Sequence, residues 1–242
     1  MARRCIFCEQ DKPTKEHVLP AWLSAVLPGG GDFNFTRQQE DGSVNSWSTP
    51  ALNLTVKRVC GPCNHGWMSQ LESQVKPLLT PLIQGQPRTF NLHEQTAIAV
   101  WATKMAIVVE QTRSGQPMIP LAYRQHLWQH LEPPPGTHVW MARYGGARTT
   151  WFDRFDGNLD SSEKSGQVHA LTLSLGQLVL QVYSLLIEKP EEIVIEKATP
   201  LPELWPNQLH PAVWPPPIHP LDDGQMLGLA KSLLIGQQML GL

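Results

Sequence analysis

The sequence predicts an α+β protein built in two parts, and three observations support this prediction. All four cysteines lie in the first 63 residues, as two C-x-x-C pairs. Apolar residues recur at helical spacing after the second pair and again over residues 92–111, whereas residues 137–198 read as successive strands. We therefore expect a small N-terminal module, residues 1–84, followed by a helical and antiparallel-sheet domain, residues 86–242.

Composition narrows the functional class. A chain of 242 residues with 41% hydrophobic and 17% charged residues is typical of a globular protein. A net charge of −2 argues against coating nucleic acid by bulk electrostatics, so any contact with nucleic acid has to be local. The sequence shows neither a secretion leader nor a run of eighteen apolar residues, and we expect a cytoplasmic protein that does not enter a membrane.

The first elements of the N-terminal module are predicted from local patterns. Residues 1–20 read as a cysteine knuckle followed by a short strand, and residues 21–27 read as a short helical turn. A hairpin comes next, with Asp41-Gly42 as its turn signal. Phe33 and Phe35 alternate with polar residues on the first arm, and Val44 and Trp47 fall in the returning arm.

An amphipathic helix is predicted after the second cysteine pair. Asn64 is a favourable N-cap for it. Pro77 and Pro81 should kink or end this helix, and Gly85-Gln86-Pro87 marks the best boundary in the chain. The apolar residues that recur down one face are Trp67, Leu71, Val75, Leu78 and Leu82.

The longer C-terminal part begins with a strongly apolar helix over residues 92–111 and a shorter one over residues 120–131. Residues 200–220 contain eight prolines and should be extended, and a last helix is expected over residues 221–242. The strand-like segments between them predict a mostly antiparallel sheet and cover residues 137–144, 149–155, 167–175, 177–187 and 191–198.

The two cysteine pairs predict a zinc site. Two such pairs in a chain without a secretion signal favour a metal over free or disulfide-linked cysteines. Zinc prefers four tetrahedral ligands, and Cys5, Cys8, Cys60 and Cys63 would occupy all four positions. We therefore expect a structural zinc ion that folds the module, and a catalytic zinc hydrolase is a distant alternative.

Further motifs lie between and beside these pairs. They are Cys5-Ile6-Phe7-Cys8, Lys15-Glu16-His17-Val18-Leu19-Pro20, Asn53-Leu54 and Cys60-Gly61-Pro62-Cys63-Asn64. In this order they resemble the zinc-bound branch of the HNH endonuclease family, over residues 1–84 only. The resemblance implies a treble-clef ββα-metal module and a metal-dependent endonuclease that hydrolyses phosphodiester bonds in DNA, with Mg²⁺ or Mn²⁺ as catalytic cation.

The resemblance also implies a role for each matching residue. His17 would be the general base, which suits a side chain with an ordinary pKa of about 6.5. Asn53 would orient His17, while Glu16 and Asn64 would bind the catalytic cation, with His65 as a reserve ligand. Because Glu16 directly precedes His17 in a strand, the two side chains point to opposite sides unless the strand end twists.

A second class of function stays open. Glu16-His17 can be a surface pair and Asn64 a plain helix cap, which would leave a non-catalytic, zinc-organised module that binds nucleic acid or protein. If the protein is the endonuclease, DNA is its expected partner. Residues 86–242 would select the target, or bind a second copy of the chain or another protein. HNH modules joined to other domains commonly serve restriction, phage defence or mobile elements, which is an analogy alone.

Overall fold

The computed structural model describes residues 4–27, 33–38, 43–49, 52–112, 117–160, 165–190, 201–206 and 210–229. Helices and antiparallel strands are both prominent in these residues, which confirms the α+β prediction. No helix in these ranges combines the length and apolar character needed to cross a lipid bilayer.

The N-terminal part contains two separate strand pairs. β1 and β4 form an antiparallel pair, although some forty residues separate them in the chain. β2 and β3 form the predicted hairpin, and the predicted turn at Asp41-Gly42 lies outside the described residues. The elements are β1 (Pro13–His17), a 3₁₀ turn (Ala21–Ala25), β2 (Phe33–Gln38), β3 (Val44–Thr49) and β4 (Thr55–Cys60).

The helix predicted after the second cysteine pair consists of three successive segments. They are α1 (Gly61–Cys63), a π-helical segment (Asn64–Met68) and α2 (Ser69–Ile83). Gly66 departs from helical geometry, with φ −90° and ψ −113°. Single-turn π segments of this kind are often found at functional sites. The predicted apolar face is confirmed on α2, where Leu71, Val75, Leu78 and Leu82 are buried.

Helix α2 does not end at Pro77 or at Pro81 but continues past both prolines. Because Pro81 has no N–H, the carbonyl of Pro77 lacks its usual partner four residues later. Arg88 Nη1 donates a hydrogen bond to this carbonyl instead, over 3.2 Å. The helix ends at Ile83, and Gly85 adopts a φ of +74°, which suits glycine. The turn signal at Gly85 is thus confirmed.

Two further helices and a short strand follow. They are β5 (Arg88–Phe90), α3 (Leu92–Glu110) and α4 (Leu121–His130), and both helices agree with the prediction. Asn91 and Glu94 form a capping box at the start of α3, since each side chain accepts the backbone N–H of the other. Nearly every residue of α3 after its first turn is buried, so α3 is the central helix of the protein.

A five-stranded antiparallel sheet covers one side of α3. Its strand order is β10-β6-β9-β8-β7. The predicted strand over residues 191–198 and the last thirteen residues of the predicted C-terminal helix lie outside the described residues, while residues 223–229 are helical. The remaining strands are β6 (Thr137–Arg143), β7 (Thr150–Asp160), β8 (Ser165–Leu175), β9 (Leu178–Leu186), β10 (Glu203–Trp205) and β11 (Ala212–Trp214), which pairs with β5.

The largest hydrophobic cluster extends across the predicted domain boundary. It runs from Cys5 to Trp214 and includes buried residues of α2, α3 and the large sheet. The turn at residues 84–87 therefore separates two stretches of chain that share one core. This arrangement places the N-terminal strand pair directly against α3.

Candidate metal centre and adjoining site

Four thiols converge where the knuckle before β1 meets the end of β4 and the short α1. Cys5 and Cys8 lie on the knuckle, Cys60 ends β4, and Cys63 ends α1. Their sulfur atoms all lie within 4.8 Å of one another, and the Sγ atoms of Cys8 and Cys60 are 3.4 Å apart. In a tetrahedral site with Zn–S bonds of about 2.3 Å, sulfur atoms lie about 3.8 Å apart. The four thiols can therefore hold a metal ion such as zinc.

The knuckle is fixed by backbone hydrogen bonds to the rest of the protein. Cys5 N donates to Gln10 O over 2.9 Å, and Ile6 N donates to Arg58 O on β4, also over 2.9 Å. From α4, Arg124 Nη1 donates to Ile6 O over 3.1 Å. The first cysteine pair is thus held against β4 and α4 by groups of the protein itself.

Hydrogen bonds and burial shift the pKa values of Cys5, Cys60 and Cys63 in different directions. A hydrogen bond from the Cys63 thiol lowers the pKa of Cys5 to about 4, and the same bond raises the pKa of Cys63. Burial raises the pKa of Cys60 to about 11. Because metal ligands have to be thiolates, a bound cation would displace these protons, and binding would be favoured by higher pH.

The end of β1 carries Glu16 and His17 on opposite faces, as the alternation of a strand predicts. His17 is exposed to solvent, whereas Glu16 is 6% exposed. The Glu16 carboxylate points into the core, where its Oε1 lies 3.2 Å from Lys104 Nζ of α3. In this structure the ammonium of Lys104 therefore holds Glu16, the expected cation ligand, on the buried side of β1, and the strand end does not twist it towards His17.

Lys104 is the centre of a buried ion cluster. Its side chain is 0% exposed, and its Nζ also donates to Glu72 Oε1 of α2 over 2.8 Å. We refer to Lys104, Glu16 and Glu72 as the Lys104 cluster. Burial raises the pKa of Glu16, and the charge of Lys104 opposes this rise. The cluster joins β1, α2 and α3 at one point.

Asn64 connects the start of the long helix to β1. Its Nδ2 donates to the backbone carbonyl of Lys15 over 3.1 Å. The structure thus brings Asn64 to the strand that ends at His17. The side-chain oxygen of Asn64, Oδ1, can still act as an acceptor. His65 is the next residue of the same π-helical segment and is exposed.

Asn53 lies on the chain just before β4. Thr55, two residues later, pairs with His17, and Val18 N donates to Leu54 O over 2.8 Å. Asn53 is exposed, and among the described residues its side chain forms no hydrogen bond to His17. The expected orienting bond is therefore absent from this part of the structure, although the backbone brings both residues to the same end of the strand pair.

Sequence reasoning missed Lys104, Glu72 and Arg124. Their partners are far away in sequence, since 88 residues separate Lys104 from Glu16 and 118 separate Arg124 from Ile6. One local signal was present: Lys104 is the sole lysine or arginine in the apolar helix α3. A cation inside such a helix indicates a buried acidic partner, because burying an unpaired charge is costly.

A second group of polar residues lies side by side in the large sheet. Asp156, His169 and Ser184 are neighbours on β7, β8 and β9, and His169 Nδ1 is 2.6 Å from Asp156 Oδ1. His169 and Ser184 are 0% and 1% exposed. Although these residue types can form a nucleophilic triad, their burial keeps a substrate away from them, so we assign them to the core.

No family model, curated protein or solved structure matches this chain.

Proposed function

We propose that this protein is a zinc-organised, metal-dependent endonuclease that hydrolyses phosphodiester bonds in DNA, with His17 as general base. The observation that supports it most is the position of His17. This imidazole is exposed at the end of β1, and Asn64 bonds to the same strand from the start of the helix that the cysteine cluster holds.

The proposed zinc has a structural role. With four thiolate ligands no coordination position remains for water or substrate. Zinc would instead fasten the knuckle to the junction between β4 and α1, and so fix the helix start that carries Asn64. Hydrolysis then requires groups outside the cysteine cluster, which His17 and its neighbours supply.

In the proposed reaction His17 accepts a proton from the attacking water. Its exposure allows it to reach a phosphate group on the surface, and an imidazole can accept protons near neutral pH. When bound, a Mg²⁺ or Mn²⁺ ion would polarise the scissile phosphate. Among the residues that the resemblance implies, Asn64 and the reserve ligand His65 could hold this cation. Glu16 is committed to Lys104 in this structure and would have to leave it.

A cleavage assay on matched histidine variants tests the proposal. Supercoiled plasmid is incubated with Mg²⁺ or Mn²⁺ and either the wild-type protein, His17→Ala or His93→Ala, which removes another exposed histidine. Loss of a general base is expected to slow cleavage by about 10²- to 10⁴-fold in His17→Ala, and His93→Ala should cut like wild type. If folded His17→Ala cuts as fast as wild type, His17 is not the base.

The Lys104 cluster supports a second candidate function. Because Lys104 holds Glu16 in the core, the chain would act as a non-catalytic, zinc-organised module that binds DNA or protein. This candidate requires a protein that retains its metal but cleaves no DNA with any divalent cation. The same assay decides between the two candidates, since metal-dependent cleavage that His17→Ala abolishes excludes the second.

A further inference from the structure

The pairing of β1 with β4 contains a bulge. Thr14 pairs with Val59 and Glu16 pairs with Val56, so one residue of β1 faces two residues of β4. All three residues at this bulge are cationic, and we refer to them as the cationic bulge. They are Lys15 on β1 and Lys57 and Arg58 on β4.

The bulge keeps these cationic side chains out of the core. Val56 and Val59 are 8% and 0% exposed, so both face inward. In a regular strand Arg58 would point to the same side as Val56. The extra residue allows both valines to be buried while Lys57 is exposed and Arg58 is half-buried. Lys15 is exposed on the facing strand.

Within the part of the chain that the structure describes, the cationic bulge has no acidic partner of its own. Among the described residues, none of its three side chains forms an ion pair. Glu16, the adjacent acid on β1, is paired with Lys104 on the buried side, and Asp11 lies 3.8 Å from Arg4. Like charges that face each other across a strand pair destabilise it. An anionic ligand at this position would relieve that repulsion.

The cationic bulge lies beside the candidate site. Lys15 accepts the hydrogen bond from Asn64 with its carbonyl, and its side chain precedes His17 by two residues. Two residues of a strand span about 6.6 Å. A DNA strand carries one phosphate charge at every nucleotide, so its backbone offers charges to several neighbouring side chains. A DNA backbone that contacts the cationic bulge can therefore also reach His17.

We propose that the cationic bulge binds the phosphodiester backbone of DNA and positions it at His17. This inference rests on the proposed function and deepens it, because it names the residues that would hold the substrate. It also agrees with the net charge of −2, which requires any contact with nucleic acid to be local. The exposed lysines and the phosphate charges of DNA are complementary in sign.

Binding of DNA without cleavage tests this inference. Fluorescence anisotropy of a labelled duplex is measured over a salt series without added Mg²⁺ or Mn²⁺, using wild type, Lys15→Gln, Lys57→Gln and the double variant. Each lost phosphate contact should reduce the slope of log K against log salt by about 0.9, and the double variant should lose about 1.8. Lys76→Gln removes one exposed lysine on α2 and should bind like wild type.

The result can be separated from that of the cleavage assay. His93→Ala should bind the duplex like wild type, since His93 belongs neither to the cationic bulge nor to the proposed catalytic site. If wild type binds DNA through the two lysines but never cuts it, the inference stands and the enzymatic proposal fails. If Lys15→Gln and Lys57→Gln keep the wild-type salt slope on the duplex, the inference is overturned.

Discussion

The cysteine cluster and the Lys104 cluster join the same strand pair to the rest of the protein in different ways. Four thiols of one chemical kind meet in the first cluster, and as thiolates they need a cation from outside the chain. The Lys104 cluster contains its own cation, whose Nζ lies 3.2 Å and 2.8 Å from its two carboxylates. The cysteine cluster would therefore depend on the supply of a metal ion, whereas the Lys104 cluster depends only on the fold.

The largest expected effect comes from breaking the cysteine cluster. Cys60→Ser removes a ligand that is buried at the end of β4, and structural zinc contributes about 10–16 kcal/mol of apparent binding free energy in zinc-finger peptides at pH 7. We expect this variant to lose zinc and to unfold at a clearly lower temperature than wild type, measured by circular dichroism. An unchanged thermal transition in a zinc-free variant would contradict this expectation.

Breaking the Lys104 cluster should have a smaller but still large effect. Lys104→Met keeps the length of the side chain and leaves the buried Glu16 without a cation. Removing one partner of a buried ion pair typically costs about 3–5 kcal/mol, which urea unfolding can measure. Zinc content should be retained, since the cysteines are untouched.

Two further variants sharpen this prediction. Lys76→Met changes an exposed lysine in the same way and should alter stability by less than about 0.5 kcal/mol. Adding Glu16→Gln to Lys104→Met should recover part of the lost stability, because one uncompensated carboxylate is removed. If Lys104→Met lowers the free energy of unfolding by less than Lys76→Met does, the ion pair does not stabilise the protein.

The smallest expected effect concerns Glu110, a buried acid that is the last residue of α3. Burial raises its pKa, although Glu110 Oε1 accepts a hydrogen bond from Ile119 N over 2.8 Å. A raised pKa means that the folded state binds this proton more tightly than the unfolded state. The resulting stability is complete below the unfolded pKa of about 4.3 and is lost as the pH rises through the folded pKa.

Glu110→Gln removes this titration and keeps an oxygen that can accept the same bond. Between pH 4 and pH 8 the free energy of unfolding of wild type should therefore fall relative to that of the variant. Urea unfolding at several pH values measures the difference. Parallel pH profiles for the two proteins would show that Glu110 does not contribute in this way.

The same comparison shows what a sequence can reveal. The cysteine cluster was predictable because each C-x-x-C pair is a local pattern that is typical of metal binding. The apolar helix α3 was predictable for a similar reason, since its buried residues are contiguous. By contrast, the direction of Glu16 depends on Lys104, which lies 88 residues away, and no local pattern pairs the two.

The prolines of α2 illustrate the same limit. Local rules predict a kink or an end at Pro77 or Pro81, yet the helix continues past both, and at Pro81 Arg88 supplies the missing donor to the carbonyl of Pro77. The pairing of β1 with β4 is likewise set by contacts between distant segments. The position of Asn64 on the Lys15 carbonyl follows from that pairing, so the sequence could identify the residue but not its contact.

The central claim is that the four cysteines hold one zinc ion, and native mass spectrometry of the purified full chain tests it most directly. We expect a mass that exceeds the metal-free chain by one zinc, and loss of that zinc when the thiols are modified. A chain that carries no metal after purification with zinc present, with four freely reactive thiols and an unchanged fold, would contradict the account.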